Sequence, residues 1–269
     1  MILLGVDLAW GEGSATRPAN ETGVVALTAT GEVVAAGWCR GLDAVVAWVA
    51  EVVGDAPDVL VAVDAPLVVT NETGQRACET QVGQRYGRWR VSANTTNRRS
   101  PRLAGVALLA RLEALGFAGT DGWEGPPRQG RWAFECYPYT TLVGVAGLGY
   151  DVERPRYKRR PKALGAAEFR PLRAQACAEL VRRLARLEAA DPPLRLASHP
   201  ETAALVGRPL PLADAPYKHL EDLLDAAVCA WTASLWHRHG LDRCQVLGEL
   251  TEPGRAATII APARPEQRR

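Results

Sequence analysis

No stretch of this chain has the uninterrupted apolar length needed to cross a bilayer as a helix, so no membrane span is expected. The first ten residues, MILLGVDLAW, have no basic lead-in and no small-residue cleavage-like site. They read as a first strand rather than a signal peptide. There is no CxxC: Cys39, Cys78, Cys136, Cys177, Cys229 and Cys244 are scattered. That spacing argues against structural zinc and for reduced, packed thiols in a cytoplasmic protein. The formal net charge is only +2, so overall charge makes no case for a nucleic-acid partner. Histidine is scarce and late (His199, His219, His237 and His239). His219 alone falls near a candidate site, one turn from Asp222, and reads as an exposed helix residue; His237 and His239 suit a helix C-terminus. No repeat, low-complexity tract or long linker divides the chain, so residues 1–269 are read as a single domain.

What is present is an ordinary globular balance, 47% hydrophobic and 23% charged. Residues 2–10, TGVVALTATG and EVVAAGWCR predict an antiparallel three-stranded meander. In GLDAVVAWVAEVVG the apolar residues Val45, Val46, Trp48, Val49, Val52 and Val53 recur at helical spacing. VLVAVDAPLVV is a continuous apolar run, as in a strand covered on both faces. This is an α/β order, in which a right-handed crossover brings the fourth strand parallel to the first. Downstream, ETGQRACETQVGQRYG, RLAGVALLARLEALGF and residues 166–190 predict helices, and RWAFECYPY predicts a strand. A shorter helix is expected after Ser198, with Glu201 completing a capping box. YKHLEDLLDAAVCAWTASLWHRHG predicts a long helix stopped by Gly240. Its packed stripe would be Leu220, Leu224, Ala227, Val228, Trp231 and Leu235. CQVLGEL and AATIIAP suggest a closing strand pair.

Charge is unevenly distributed. Arg85, Arg88, Arg90, Arg98, Arg99 and Arg102 fall within residues 85–102 with no acid among them. Arg154, Arg156, Lys158, Arg159, Arg160 and Lys162 do the same within 154–162. These stretches are read as basic insertions near 85–102 and 151–165, with Tyr86, Trp89 and Tyr157 interleaved. Such segments can grip phosphates and stack bases. The alternative is two solvated loops of an arginine-rich chain.

Asp7 and Asp64 sit inside apolar, strand-like runs, and Asp222 and Asp225 lie three apart on the long helix. A carboxylate in such surroundings is costly unless paired, hydrogen-bonded or bound to a cation. Parallel strands can bring Asp7 and Asp64 to one sheet edge. Asp222, Asp225, Lys218 and Glu221 share one helix flank, and the small Ala226 and Ala227 let that helix come close. Hard oxygen ligands of this kind suit Mg²⁺ or Mn²⁺. Two such ions can clamp the attacking and leaving oxygens of a phosphodiester. Plain alternatives stay open for two of the acids: Asp64 as a turn cap before Ala65-Pro66, and Asp222 as a partner of Lys218.

Asp7 in GVDLAW, Asp64 in VDAPL, Glu135 in FECYP and the run DLLDAAVCAWTA occur in that order across nearly the whole chain. They resemble the motifs of a family of uncharacterised bacterial and archaeal proteins, described as predicted RNase H-like nucleases and labelled a domain of unknown function. The resemblance implies an α/β fold with a mixed five-stranded sheet and helices on both faces. It implies acid ligands at Asp7, Asp64 and Asp225, with Asp222 similar to the paired acid of resolvase-type relatives. It also points to Arg76 and Glu79 in RACE, to Glu135, and to Lys218 as a basic residue ahead of the last helix. Glu135 is either a further ligand or the ion-pair partner of Arg76, and Arg76 can instead hold a phosphate.

The expected activity is that of a Mg²⁺- or Mn²⁺-dependent nuclease or resolvase-like phosphodiesterase with a two-metal mechanism. Asp7, Asp64, Asp225, Asp222 and Glu135 form its catalytic set, with Asp7 bridging. Arg76, Lys218, Arg88, Arg90, Arg98, Arg99, Lys158, Arg159 and Arg160 form its nucleic-acid contacts. Two other classes compete. One is an actin-like or sugar-kinase phosphotransferase, which the lack of a second glycine-rich phosphate turn disfavours. The other is a binding module without chemistry.

Overall fold

In the computed structural model, residues 1–11, 13, 16, 18–250 and 256–268 are described. The expected meander forms from β1 (Ile2–Asp7), β2 (Glu21–Thr28) and β3 (Val33–Arg40), all antiparallel neighbours. After α1 (Leu42–Val53), β4 (Val59–Val63) returns parallel to β1 with Val6 beside Val63. Then come α2 (Ala77–Tyr86), α3 (Ala104–Ala114), β5 (Ala118–Gly119) and β6 (Arg131–Glu135). The order across the sheet is β3-β2-β1-β4-β6-β5, with β4, β6 and β5 running parallel to β1.

Among the described residues the sheet therefore has six strands where five were expected. The addition is the two-residue β5, which pairs only at Trp132 and Ala133 of β6. Two residues are too few for any alternation to register in the sequence.

The remaining elements are α4 (Pro138–Gly144), α5 (Ala166–Ala185), α6 (Pro200–Gly207), α7 (Asp214–His239), β7 (Cys244–Leu247) and β8 (Ile259–Pro262). The last two pair antiparallel as a separate ribbon. Alternate residues of the sheet supply two cores. Leu4, Val6, Val61 and Val63 pack with α1 and α3 on one face. Leu3, Leu60, Ala62 and Phe134 pack with α2, α4, α5 and α7 on the other. The period-2 alternation thus places helices on both faces.

Two local expectations change. The N-cap of α6 is His199, whose Nδ1 accepts from the Glu201 amide at 3.3 Å. Ser198 instead ties this region to the sheet edge, accepting from the Val33 amide at 2.8 Å. Helix α7 has no single packed stripe: every residue from 221 to 236 is buried. It is enclosed by the sheet on one side and by α4, α6 and β8 on others.

Glycine determines how closely α7 seats. A β-carbon on Gly5 would stand 2.0 Å from the Ala226 carbonyl oxygen, and one on Gly23 equally close to that of Asp222. Only glycine at these two positions lets the helix backbone touch the strands. All six cysteines are free and buried. Among the described residues no helix is long and apolar enough to cross a membrane.

Candidate active site

Parallel register brings the first two acids together. Asp7 ends β1, and the Asp64 amide donates to the Val6 carbonyl at 2.9 Å, one step beyond β4. Helix α7, seated on Gly5 and Gly23, adds Glu221, Asp222 and Asp225 from above. The Asp7 carboxylate is within hydrogen-bonding reach of both Asp64 and Asp222, which makes it the hub of the group. Asp7, Glu221, Asp222 and Asp225 are buried, whereas Asp64 keeps some exposure.

Two ammonium groups oppose these five carboxyls. Lys158, from the irregular 151–165 segment, pairs with Asp225 Oδ2. Lys218 pairs with Asp222 Oδ1 and lies 3.3 Å from Glu221 Oε1. Lys218 stands inside α7, in its second turn, rather than ahead of it. Tyr157 Oη donates to Asp225 Oδ1 at 2.6 Å, and Tyr217 Oη donates to the Tyr157 carbonyl at 2.6 Å. Asp225 Oδ2 meets Lys158 as an ion pair, but no well-aligned hydrogen bond reaches this buried oxygen.

Crowding shows in the proton affinities. Burial, and then Asp7, push Asp222 up to about 9 against the opposing pull of Lys218. Burial pushes Asp225 up to about 7; Lys158 opposes this, while Asp7 and Glu221 add to it. Burial also raises Asp64 well above the carboxylate range, with Asp7 and Asp225 adding to the shift and Lys158 opposing it. Burial works against the Lys158 ammonium, yet Asp225, Asp7 and Asp64 together hold it above its ordinary value. Like charges and desolvation both act here, and counter-charge only partly offsets them.

The donor set is entirely carboxylate oxygen, which fits Mg²⁺ or Mn²⁺ in type, and Asp225 Oδ2 is buried without a well-aligned hydrogen bond, facing the Lys158 ammonium. Among the described residues, no three of these side chains already stand in a metal-holding arrangement. The two lysines supply the positive charge instead.

Arg76 and Glu135 face each other. Arg76 Nη1 and Nη2 donate to the two Glu135 oxygens at 2.7 and 2.6 Å, and Nε donates to Glu79 at 2.9 Å. Glu135 also accepts the Leu67 amide at 3.1 Å, and Glu79 accepts the amides of Arg76 and Thr96. Of the roles left open for this pair, the mutual ion pair is the one formed. It fastens the loop after Asp64 to β6 and to the start of α2. A cavity of about 30 Å³, lined by Asp64, Arg76, Glu135 and Tyr137, separates it from the carboxylates.

The two basic segments pack side by side. The Arg154 amide donates to the Trp89 carbonyl at 3.0 Å, and Arg159 donates to Asn94 at 2.7 Å. Several of their charges are already paired on the surface. Arg88 meets Glu266 at 2.5 Å, Arg98 meets Glu72 at 2.7 Å, and Arg90 meets Glu153 at 3.3 Å. Arg99 and Arg160 are exposed. His219 stacks on Trp38 with centroids 3.7 Å apart and meets Glu21 at 2.6 Å.

Sequence reasoning did not name Tyr157 or Glu221 among the site residues. One signal could have marked the lysines. The chain has 29 arginines and only three lysines, and two of those three, Lys158 and Lys218, point at the carboxylates.

These observations define an α/β protein with a buried carboxylate cluster at the ends of two parallel strands, closed by a central helix. The family described as protein of unknown function (DUF429) matches residues 5–251, and the chain belongs to that family. No curated protein and no solved structure matches the chain.

Proposed function

We propose that this protein is a Mg²⁺- or Mn²⁺-dependent phosphodiesterase, a nuclease or resolvase-like enzyme acting on nucleic acid. The observation that carries the reading is the convergence of Asp7, Asp64, Asp222 and Asp225 at the ends of the parallel strands β1 and β4. A basic surface lies beside it. Carboxylates this crowded are stabilised by a cation. Five longer strands with helices on both faces support an RNase H-like sheet, with β5 as an edge addition.

Asp7, Asp64, Asp222 and Asp225 would hold the ions. When bound, they supply an activated water and neutralise charge on the leaving oxygen. The chain's own part is to fix these carboxylates through the strand register and the seat of α7. Exposed arginines at 99 and 160 hold phosphates without reading bases. The Arg76–Glu135 pair keeps the loop after Asp64 in place.

The test is cleavage of labelled single-stranded, duplex and branched DNA and of RNA, with Mn²⁺ and with chelator. Metal-dependent cutting that disappears in Asp7→Asn supports the proposal. Activity that survives chelation overturns it. A second reading, a nucleic-acid-binding module without chemistry, is favoured by one observation: Lys158 and Lys218 already satisfy Asp225 and Asp222 without a cation. Nucleic-acid binding with neither Mn²⁺ affinity nor cleavage would select it.

A further inference from the structure

The chain makes its buried ion pairs in two ways. Arg76 holds Glu135 through a two-pronged, planar contact, 2.7 and 2.6 Å, with its Nε spent on Glu79. Such a fork is rigid and specific. The carboxylate cluster is treated differently. In a chain with 29 arginines, its counter-charges are two of the only three lysines. An ammonium is a compact point charge on a flexible stem, easily re-aimed.

Lys158 is the more telling of the two. Its ammonium pairs with Asp225, one of the acids assigned above to the cation, and also feels the charges of Asp7 and Asp64. Its backbone is anchored next door, because Tyr157 donates to Asp225 and receives the Tyr217 hydroxyl. The Lys158 side chain keeps 17% exposure. The ring of Tyr139 lies 5.4 Å from Nζ and carries Arg154 over its face at 4.2 Å, so an arginine of the basic segment already stands near the ammonium.

We infer that Lys158 is a displaceable internal counter-ion: its ammonium neutralises the cluster in the cation-free protein and swings out towards the basic surface when a divalent cation enters. The inference rests on the cation-dependent reading above. An ammonium and a dication compete for Asp225 Oδ2, because like charges in a poorly solvated site repel strongly. Cation affinity is therefore set against the Lys158 pair. The expelled ammonium becomes available to a phosphate on the surface where Arg154 and Arg159 already stand.

The experiment is amine labelling of the wild-type chain with an acetylating ester, with and without Mn²⁺, read by peptide mass spectrometry. With only three lysines the map is simple, and the exposed Lys162 is the internal reference. Lys158 should be protected without Mn²⁺ and labelled several-fold faster with it, while Lys162 is unchanged. In parallel, calorimetry should find Mn²⁺ binding about tenfold or more tighter to Lys158→Met, the range by which groups that support metal ligands tune affinity. The labelling arm needs no variant, so poor folding of Lys158→Met would not remove the test. If calorimetry shows Mn²⁺ bound to wild type but Lys158 labelling does not change, the counter-ion role is overturned and the metal site stands. If Mn²⁺ binds neither protein, both fall.

Discussion

The main-chain carbonyl oxygen of Asp222 lies 2.0 Å from where a β-carbon on Gly23 would be, and Gly23 is the residue paired with Asp7 across β1 and β2. The acid of the strand and the acid of the helix meet because the position between them has no side chain. Gly23→Ala should push α7 off the sheet. Overpacking typically costs about 1–3 kcal/mol, and a clash with main chain belongs at the upper end. Gly37→Ala on β3 is the control, since nothing lies within 4 Å of its added carbon. Urea unfolding should show a large loss for the first and little for the second. Equal stability would mean that glycine is not what seats the helix.

Glu135 should behave as a structural residue. Removing one partner of a buried pair typically costs about 3–5 kcal/mol, because the other charge is left uncompensated. Glu135→Gln should therefore lower the denaturant midpoint sharply while leaving Mn²⁺ affinity within a few-fold of wild type. Unchanged stability with lost Mn²⁺ binding would instead make Glu135 a ligand.

Without a cation, stability should fall as pH rises. Asp225 and Asp222 are raised to about 7 and about 9 in the folded chain. Unfolded carboxyls titrate near 4. The folded state thus binds more protons through that interval, so the slope of unfolding free energy against pH is negative. The contribution is fully present below about pH 4 and is lost as pH climbs through about 7 and then 9. Thermal melts between about pH 5 and 9 in chelator should show the decline, and Asp222→Asn should flatten its upper part. A stability that rises across this interval would contradict the crowding of these acids.

Asp7→Asn and Asp225→Asn each keep shape and remove an anionic donor. Both variants should remain folded by circular dichroism and lose Mn²⁺-dependent cleavage. His219→Ala should retain most of it, since His219 is engaged with Trp38 and Glu21 rather than with the cluster. Full activity in Asp7→Asn would exclude the proposed hub.

The basic surface should not act uniformly. Arg99 and Arg160 are exposed, whereas Arg88 and Arg98 already meet Glu266 and Glu72. Arg99→Gln with Arg160→Gln should weaken nucleic-acid binding on every sequence and lower the salt slope by roughly one for each phosphate no longer held. Arg88→Gln should do less. Fluorescence anisotropy over a salt series would show it, and an unaltered slope in the double variant would make these segments solvated loops.

Much of the scaffold was legible from residue pattern alone. Apolar alternation and continuous apolar runs fixed β1 to β4, and helical spacing fixed α1, α3 and α7, because each signal repeats over many residues within one element. The aspartates stood out for the same local reason: a charge inside an apolar run demands a partner. Pattern could not show β5, too short to alternate, or α4, whose PYTTLVG has no amphipathic period and is buried on every side. Nor could it choose between the two roles of Glu135. Arg76 lies 59 positions away, and only the parallel pairing of β4 with β6 brings them together. The lysines illustrate the division most clearly. Sequence assigned Lys158 to nucleic acid because it falls within a basic run, and Lys218 through the family resemblance, with its pairing to Asp222 left open as an alternative. Tertiary structure formed the Lys218–Asp222 pair and turned Lys158 inward, because burying five carboxyls at the ends of two strands creates a local excess of negative charge, which Lys158, distant in sequence, comes to offset.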